Sequence, residues 1–342
     1  MFLKQAKRHA KIIIVALSIL FLIAILNTDL SPDLYFIHWK PLENISCHYL
    51  EAEDVLPSAD KVKFSSKSIF FHETSCKGGL DARQACAVES TARSHPDWEI
   101  NVLFTAPATK DTLINNSVLL GQFQNVNFYR IHVVKYAEDT PLKKFVARGA
   151  LNRTRWRISH ASDVLRYLSL YKWGGVYLDL DVVVAKPLGS LVKNWAARES
   201  GIAVAAGAMA FSDDKVGRQV AEAAIRDIKW NYRGDVWGHN GPGVITRVLK
   251  NMCSTTDVWK MTTATCHGFE VYGPEYFYPI EWQKAHVYFE RGHIDLDKAY
   301  VYHVWNHFSQ HFKIQRGSPY DTLAKTFCPT AYSIFVDEFG RL

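Results

Sequence analysis

The chain has 342 residues, enough for one large or two ordinary domains, and its 48% hydrophobic and 13% aromatic content supplies the core of a globular protein. Its net charge is +6, of which Lys4, Lys7, Arg8 and Lys11 contribute four units, leaving the remainder only mildly basic. No Lys/Arg cluster is interleaved with aromatic residues, which argues against a nucleic-acid partner.

The basic segment MFLKQAKRHAK precedes IIIVALSILFLIAIL, Ile12 to Leu26, which carries no charge. The run is short for a bilayer span but reaches about twenty residues when Ala10 and Asn27 to Leu30 are placed in the interfaces. The positive flank keeps the N-terminus cytoplasmic. We therefore expect a cytoplasmic tail at 1–11, a transmembrane signal anchor at 12–30, a polar stem at 31–67 and a lumenal domain at 68–342. A cleaved signal peptide is the alternative, although AILNTDL offers no small-x-small cleavage pattern. Six cysteines (Cys47, Cys76, Cys86, Cys253, Cys266, Cys328) without C-x-x-C spacing point to disulfides, and Cys76 with Cys86 is the most local pairing. Sequons at Asn44, Asn115 and Asn152 agree with lumenal exposure.

From Ser68 the pattern becomes periodic. SIFFHET predicts a buried strand, DARQACAVESTARSHP a helix with Ala85, Val88 and Ala92 on its apolar face, INVLFT a second strand and VNFYRIHVV a third. Strands alternating with helices mean an α/β domain with a largely parallel sheet. There is no internal repeat, no G-x-G-x-x-G after the first strand and no Walker A sequence, so any nucleotide phosphates must be held by metal and side chains. The helix SHASDVLRYLSLYKW has an apolar stripe of Val164, Leu165, Leu168 and Tyr171 and brings Asp163 and Arg166, three apart, onto one face. A surface ion pair is the plain reading; a charge pair facing a cleft is the other.

Next comes GGVYLDLDVVV, Gly174 to Val184, an apolar run of the kind expected in a strand buried on both faces, interrupted by Asp179 and Asp181. Residues two apart on a strand project to one side, so the carboxylates sit about 7 Å apart and raise each other's pKa unless a cation lies beside them. A divalent metal removes that cost; a strand end open to water is the alternative. Downstream, WGHNGPGVITRVLK places Pro242 in the first turn of a helix, with Trp237, His239, Asn240 and Gly241 around an N-terminus that attracts anions or polar ligand oxygens, or that serves only as a turn and cap. In VYHVWNHFS, His303 is either a metal ligand or a hydrogen-bonded core histidine, and Trp237 and Trp305 are candidates to stack on a sugar or to fill the core.

Together SDVLRYLSLYKWGGVYLDLD, WGHNGP, YFYPIEWQ and HVWN resemble the alpha-1,4-glycosyltransferases, the family of lactosylceramide 4-alpha-galactosyltransferase and alpha-1,4-N-acetylglucosaminyltransferase with a DXD sugar-binding region, over roughly Ser68 to Cys328. The resemblance implies the nucleotide-sugar fold called GT-A, with helices on both faces of a mostly parallel sheet, in a single-pass type II protein of the Golgi membrane. It implies Mn2+, a UDP-sugar donor and retention of anomeric configuration. Asp179 and Asp181 would hold metal and diphosphate together with His303, and Asp163, Arg166 and Asn240 would form the catalytic group around the donor sugar. His72, Glu73 and Thr74 would receive the uridine, and Trp237, His239 and Trp305 the acceptor. Tracts between the motifs look like invertebrate members, some of which use N-acetylgalactosamine, so the expected partners are UDP-galactose or UDP-N-acetylgalactosamine and a glycosphingolipid, with a homodimer left open.

Departing UDP is a dianionic diphosphate, and a divalent ion stabilises the charge that develops on it. Two carboxylates and one imidazole form an acceptable manganese set. Metal-dependent phosphoryl transfer would more naturally show further acidic ligands, and a non-catalytic binding protein would tolerate loss of one aspartate. The anchor assignment has a direct check: N-terminal sequencing of the mature protein should find Ile12 to Leu26 retained, and deletion of that run should release a secreted, active domain.

Overall fold

A computed structural model describes residues 43–50, 56–108 and 121–339; the expected anchor at 12–30 and Asn115 lie outside them. Among the described residues no helix is long and apolar enough to cross a membrane. In chain order the strands are β1 (Ser68–Glu73), β2 (Glu99–Phe104), β3 (Val126–Arg130), β4 (Gly175–Leu178), β5 (Val182–Val184), β6 (Trp195–Arg198), β7 (Val204–Phe211), β8 (Glu270–Tyr272) and β9 (Val301–His303). The longer helices are α1 (Ala82–Ser94), α2 (Arg157–Trp173), α3 (Lys215–Asn231), α4 (Pro242–Met252), α5 (Pro319–Phe327) and α6 (Pro329–Ile334).

The main sheet has the order β3-β2-β1-β4-β7-β6-β8, and β5 pairs with β9 in a second sheet. The pairs β1–β2, β1–β4, β2–β3 and β6–β8 are parallel, whereas β7 runs antiparallel to both of its neighbours. Alternation along the strands feeds two cores, one on each face. Ile69, Phe71, Ala208 and Ala210 pack with α1 and α5, while Phe70, Met209 and Phe211 pack with α2, α3 and α4. This is the α/β architecture expected from the alternating pattern.

Local chemistry explains the element ends. Asp81 and Gln84 form a capping box at the start of α1. The Gly174-Gly175 turn between α2 and β4 requires glycine at both positions, with φ of +70° and +85°, and a Cβ would lie 2.8 Å from the Phe211 carbonyl oxygen or 2.6 Å from that of Ser68.

Four expectations change. The third strand stops at Arg130, whose buried guanidinium donates to the Cys47 carbonyl (2.9 Å), and Val133–Tyr136 forms a helical turn instead. GGVYLDLDVVV is two strands in two sheets, with Asp179-Leu180-Asp181 forming the turn between them. The stem is shorter than 31–67: Ile45, Cys47, His48, Ala59 and Phe64 are buried, and the compact unit runs from Glu43. Cys76 does not pair with Cys86; the bonds are Cys47–Cys76, Cys86–Cys328 and Cys253–Cys266. Cys86 lies on α1 and Cys328 between α5 and α6, so this bond joins segments 242 residues apart. Because a long loop is closed, Cys86→Ser should cost about 2–5 kcal/mol in reversible denaturation, with the peptides holding Cys86 and Cys328 comigrating only in non-reducing digests of the unaltered protein.

Candidate active site

The D-x-D turn gathers the charged residues of the chain's centre. At the end of β4 the backbone N–H of Asp179 donates to the Gly207 carbonyl (2.8 Å), and Asp181 opens β5, whose Val182 is paired with His303 on β9. The second sheet thus carries His303 back across more than a hundred residues to face both carboxylates. Its Nε2 lies 3.4 Å from Asp179 Oδ2 and 3.3 Å from Asp181 Oδ1. One ligand atom from each of the three lies within 4.8 Å of the others. The aspartate side chains are 23% and 17% exposed while that of His303 is 7% exposed, so the carboxylates reach solvent and the imidazole lies behind them.

Arg166 compensates this negative charge. On α2 it sits 3.1 Å from Asp163 Oδ1 and 3.2 Å from Asp179 Oδ1, and it donates to the Ala206 carbonyl (2.8 Å) and to Ser162 Oγ (3.1 Å). Its guanidinium carbon lies 4.7 Å from the centre of the Tyr177 ring, and Tyr177 donates from its hydroxyl to Asp179 Oδ1 (2.6 Å). Asp163 and Arg166 are therefore a buried pair turned toward the D-x-D, not a surface ion pair.

The electrostatics follow from burial and neighbours. Burial raises the Asp163 carboxyl to about 6, with Arg166 opposing it and Asp179 adding to the rise. At Asp179 burial is outweighed by Arg166 and by hydrogen bonds with His303 and Tyr177, which hold it well below the usual carboxylate range. Burial raises Asp181 despite His303. Burial would lower His303, but Asp181 and Asp179 raise it above its usual value. The Trp305 N–H donates to His303 Nδ1 (3.2 Å), which puts the imidazole proton on Nε2, between the two carboxylates. That proton occupies the place a cation would take. The donor set of two carboxylates and one imidazole fits a divalent ion of the manganese kind.

Several contacts here had no sequence signal. Trp305 has φ 55° and ψ 52°, a left-handed conformation unusual for a bulky residue, and the following Asn306 N–H meets Asp181 Oδ2 at 2.6 Å. Arg83, on α1, donates to Asn306 Oδ1 (3.2 Å), the Ser309 carbonyl (3.1 Å) and the Phe312 carbonyl (2.8 Å), fixing that turn from behind. Gly241 lies against Asp163, where a Cβ would be 2.3 Å from Oδ1.

Other expected site residues stand further back. His72 is buried, bonded through Nε2 to Ser169 Oγ (2.8 Å), and burial lowers it to about 3. Glu73 accepts from the Ser75 N–H (2.8 Å) and hydroxyl, and Thr74 donates to the Ile158 carbonyl (3.1 Å), so all three hold the chain around the end of β1. Asn240 accepts from the Arg233 N–H (2.9 Å) and donates to its carbonyl (2.6 Å), which engages both ends of its amide in fastening the loop before α4. His239 is bonded to the Asn231 carbonyl (2.8 Å). Trp237 is half-buried, stacked on His307 with centroids 4.0 Å apart. Trp305 is 8% exposed, packed between Tyr278 and His303, with its indole N–H on the Ile280 carbonyl (2.7 Å), so its ring belongs to the core behind the cluster of Asp179, Asp181 and His303.

Residues 81–201, which contain Asp163, Arg166, Asp179 and Asp181, match the family model of the glycosyltransferase sugar-binding region containing DXD motif, and residues 213–335 match that of the alpha 1,4-glycosyltransferase conserved region. Lactosylceramide 4-alpha-galactosyltransferase of Mus musculus is 32% identical over 275 residues, spanning 78% of this chain and 75% of the relative. The chain belongs to the alpha-1,4-glycosyltransferase family. The Homo sapiens lactosylceramide 4-alpha-galactosyltransferase is 31% identical over 78% of this chain and 76% of its own length, and the Homo sapiens alpha-1,4-N-acetylglucosaminyltransferase is 26% identical over 78% and 80%. A solved galactosyltransferase in complex with donor and acceptor sugar analogs has a TM-score of 0.44 and 15% identity, covering 78% of this chain and 95% of that one. This family member is a glycosyltransferase, and its DXD region implies a nucleotide-sugar donor.

Gly207 provides a test of the cluster that leaves its charges intact. A Cβ there would sit 2.7 Å from Asp179 Oδ2 and 2.9 Å from His303 Nε2, both held by other contacts. Gly207→Ala should keep a melting temperature within a few degrees of the unaltered protein while weakening divalent-ion binding at least tenfold by titration calorimetry.

Proposed function

We propose that this glycosyltransferase has the GT-A architecture, retains anomeric configuration, and moves galactose or N-acetylgalactosamine from a UDP-sugar to a terminal galactose or N-acetylgalactosamine of a glycosphingolipid such as lactosylceramide. The observation that carries the reading is the convergence of Asp179, Asp181 and His303 beside the buried Asp163–Arg166 pair, in a chain related to lactosylceramide 4-alpha-galactosyltransferases. In this reading Asp179, Asp181 and His303 hold Mn2+, which supplies Lewis-acid stabilisation to the departing diphosphate. Arg166 presents a planar fork to the donor and holds the ionised Asp179. Asp163, paired with Arg166, accepts hydrogen bonds from the donor sugar when ionised. Tyr177 and the Asn306 N–H fix the two D-x-D carboxylates so that neither reorganises as charge develops.

Placement follows the same reading. The anchor expected at 12–30 and the stem that ends before Glu43 would hold the catalytic unit near a Golgi lumenal leaflet, where glycolipid headgroups are locally concentrated. The three disulfides agree with an oxidising lumen. Trp237, stacked on His307 and half-buried, is the acceptor-side candidate that retains open surface.

The deciding experiment incubates the protein and Mn2+ with UDP-galactose, UDP-N-acetylgalactosamine and UDP-N-acetylglucosamine against lactosylceramide, other glycolipids and glycoproteins. Alpha-1,4 transfer to a glycolipid is expected. Transfer confined to glycoproteins, or hydrolysis alone, overturns the acceptor assignment. Asp179→Asn or Asp181→Asn should lower transfer at least a hundredfold with the fold retained. Because Asp181 and Asp179 hold His303 above its usual value and its protonated ring repels a cation, Mn2+ affinity should fall as the pH is lowered and rise as it is raised.

A further inference from the structure

The sequons Asn44-Ile-Ser and Asn152-Arg-Thr are more than a hundred residues apart, yet both asparagines line one cleft of about 460 Å3, with Tyr49, Leu50 and Arg157 among its other walls. The fold brings them together at the entrance to α2. Asn44 precedes the helical turn Ser46–Tyr49, which is tied down by the Cys47–Cys76 disulfide, and Asn152 lies in the turn Ala150–Arg153 that leads into α2. Arg157, the first residue of α2, donates to the Glu43 carbonyl (3.1 Å), and the Glu43 carboxylate accepts from the Ile158 N–H (2.8 Å). The cleft therefore sits on the seam between residues 43–50 and the helix that carries Asp163 and Arg166.

Both asparagines are exposed, and among the described residues neither amide nitrogen donates a hydrogen bond. Asn44 engages only its side-chain oxygen, which accepts from the Ser46 N–H (2.9 Å). The amide nitrogens of Asn125, Asn194 and Asn240 are instead spent on internal bonds. A sugar joined to Nδ2 of Asn44 or Asn152 thus displaces no contact of the fold. The Ser46 side chain is exposed, so its hydroxyl is accounted for by the sequon, whereas that of Thr154 also donates to the Gly234 carbonyl (3.0 Å). The walls suit a pyranose ring. Half-buried Tyr49 and Leu50, 47% exposed, offer apolar surface to its C–H face, and the Arg157 guanidinium has donors for its hydroxyl and acetamide oxygens. The cleft volume is in the range of small-ligand sites.

We propose that Asn44 and Asn152 both carry N-linked glycans and that their innermost N-acetylglucosamines meet in this cleft, fastening residues 43–50 to the entrance of α2. In the modification the amide nitrogen attacks C1 of an oligosaccharide carried on a lipid diphosphate: the N–C1 bond forms, the bond from C1 to the phosphate oxygen breaks, the lipid diphosphate leaves and one amide proton is released. The full chain is made in a eukaryotic secretory host and treated, in heavy-oxygen water, with the amidase that releases N-glycans. Peptide mass spectrometry should then find labelled aspartate at positions 44 and 152. Asn44→Gln and Asn152→Gln should each lower the melting temperature by a few degrees, and the double variant by clearly less than the sum, as expected for groups in one contact. A second measurement needs no substitution: an endoglycosidase that leaves one N-acetylglucosamine on each asparagine should leave the melting temperature unchanged, whereas complete release by the amidase should lower it. The proposal is overturned if either asparagine is unmodified, if the two losses add, or if complete release costs no more than trimming. It rests on the lumenal placement under Proposed function, and the outcomes separate the two: label at position 115 alone overturns the shared cleft and keeps that placement, while label nowhere overturns both.

Discussion

The structure is organised around a local excess of negative charge. Asp163, Asp179 and Asp181 place three carboxylates in one cluster, against the single permanent cation Arg166, so the ionised cluster carries two uncompensated charges. Burying like charges is costly unless they are paired and hydrogen-bonded. The contacts around the cluster meet that condition in different ways: Arg166 spans Asp163 and Asp179, Tyr177 donates to Asp179, the Asn306 N–H donates to Asp181, and the Nε2 proton of His303 lies between the last two carboxylates. The remaining two charges equal those of one divalent ion, which supports the metal site proposed above.

The topology follows from where those groups must meet. A single long strand through GGVYLDLDVVV would have pointed both aspartates to one side of one sheet. The chain instead leaves the main sheet at Asp179 and enters the second at Val182, so each carboxylate is anchored to a different sheet and His303 arrives opposite Val182. Room for this crossing comes from β7, whose Gly207 leaves the space that Asp179 and His303 fill. A side chain at that position would occupy the space of both.

What could be read in the sequence was local. Periodicity identified β1, β2, α1 and α2, Pro242 marked the first turn of α4, and the D-x-D, His303 and the Asp163/Arg166 spacing pointed to residues that the fold does bring together. Polar residues near a motif were less informative. Asn240 and His72 have the chemistry of site residues, yet their polar atoms bond to Arg233 and Ser169, because a buried amide or imidazole must find partners wherever it is. Groups that reach the cluster from distant sequence left no local pattern: the left-handed turn at Trp305, Arg83 on Asn306, Tyr278 beside His303, and the bond between Cys86 and Cys328. The apolar residues on both sides of Asp179 and Asp181, from Val176 to Val184, hid the strand break, since two buried strands joined by a charged turn share the composition of one.

His303, the member of the cluster most distant in sequence, depends on a helix that supplies none of the cluster's residues. Arg83, in the first turn of α1, holds the segment from Asn306 to Phe312, and its guanidinium lies over the Phe289 ring at 4.3 Å. Two turns later Glu89, fully buried, accepts from the Thr330 and Ala331 N–H groups at the start of α6 (2.9 and 2.7 Å), and Cys86 between them is bonded to Cys328. One face of α1 thus fastens the C-terminal part of the chain at three points while its other contacts pack on β5 and β2. A side chain brought in by a three-residue strand has little rigidity of its own, and precise placement must come from the residues that support it. Here that support is α1: the position of His303 relative to Asp179 and Asp181 is set by covalent and charged anchors on a helix that begins just after the first strand, before any residue of the cluster has appeared in the sequence.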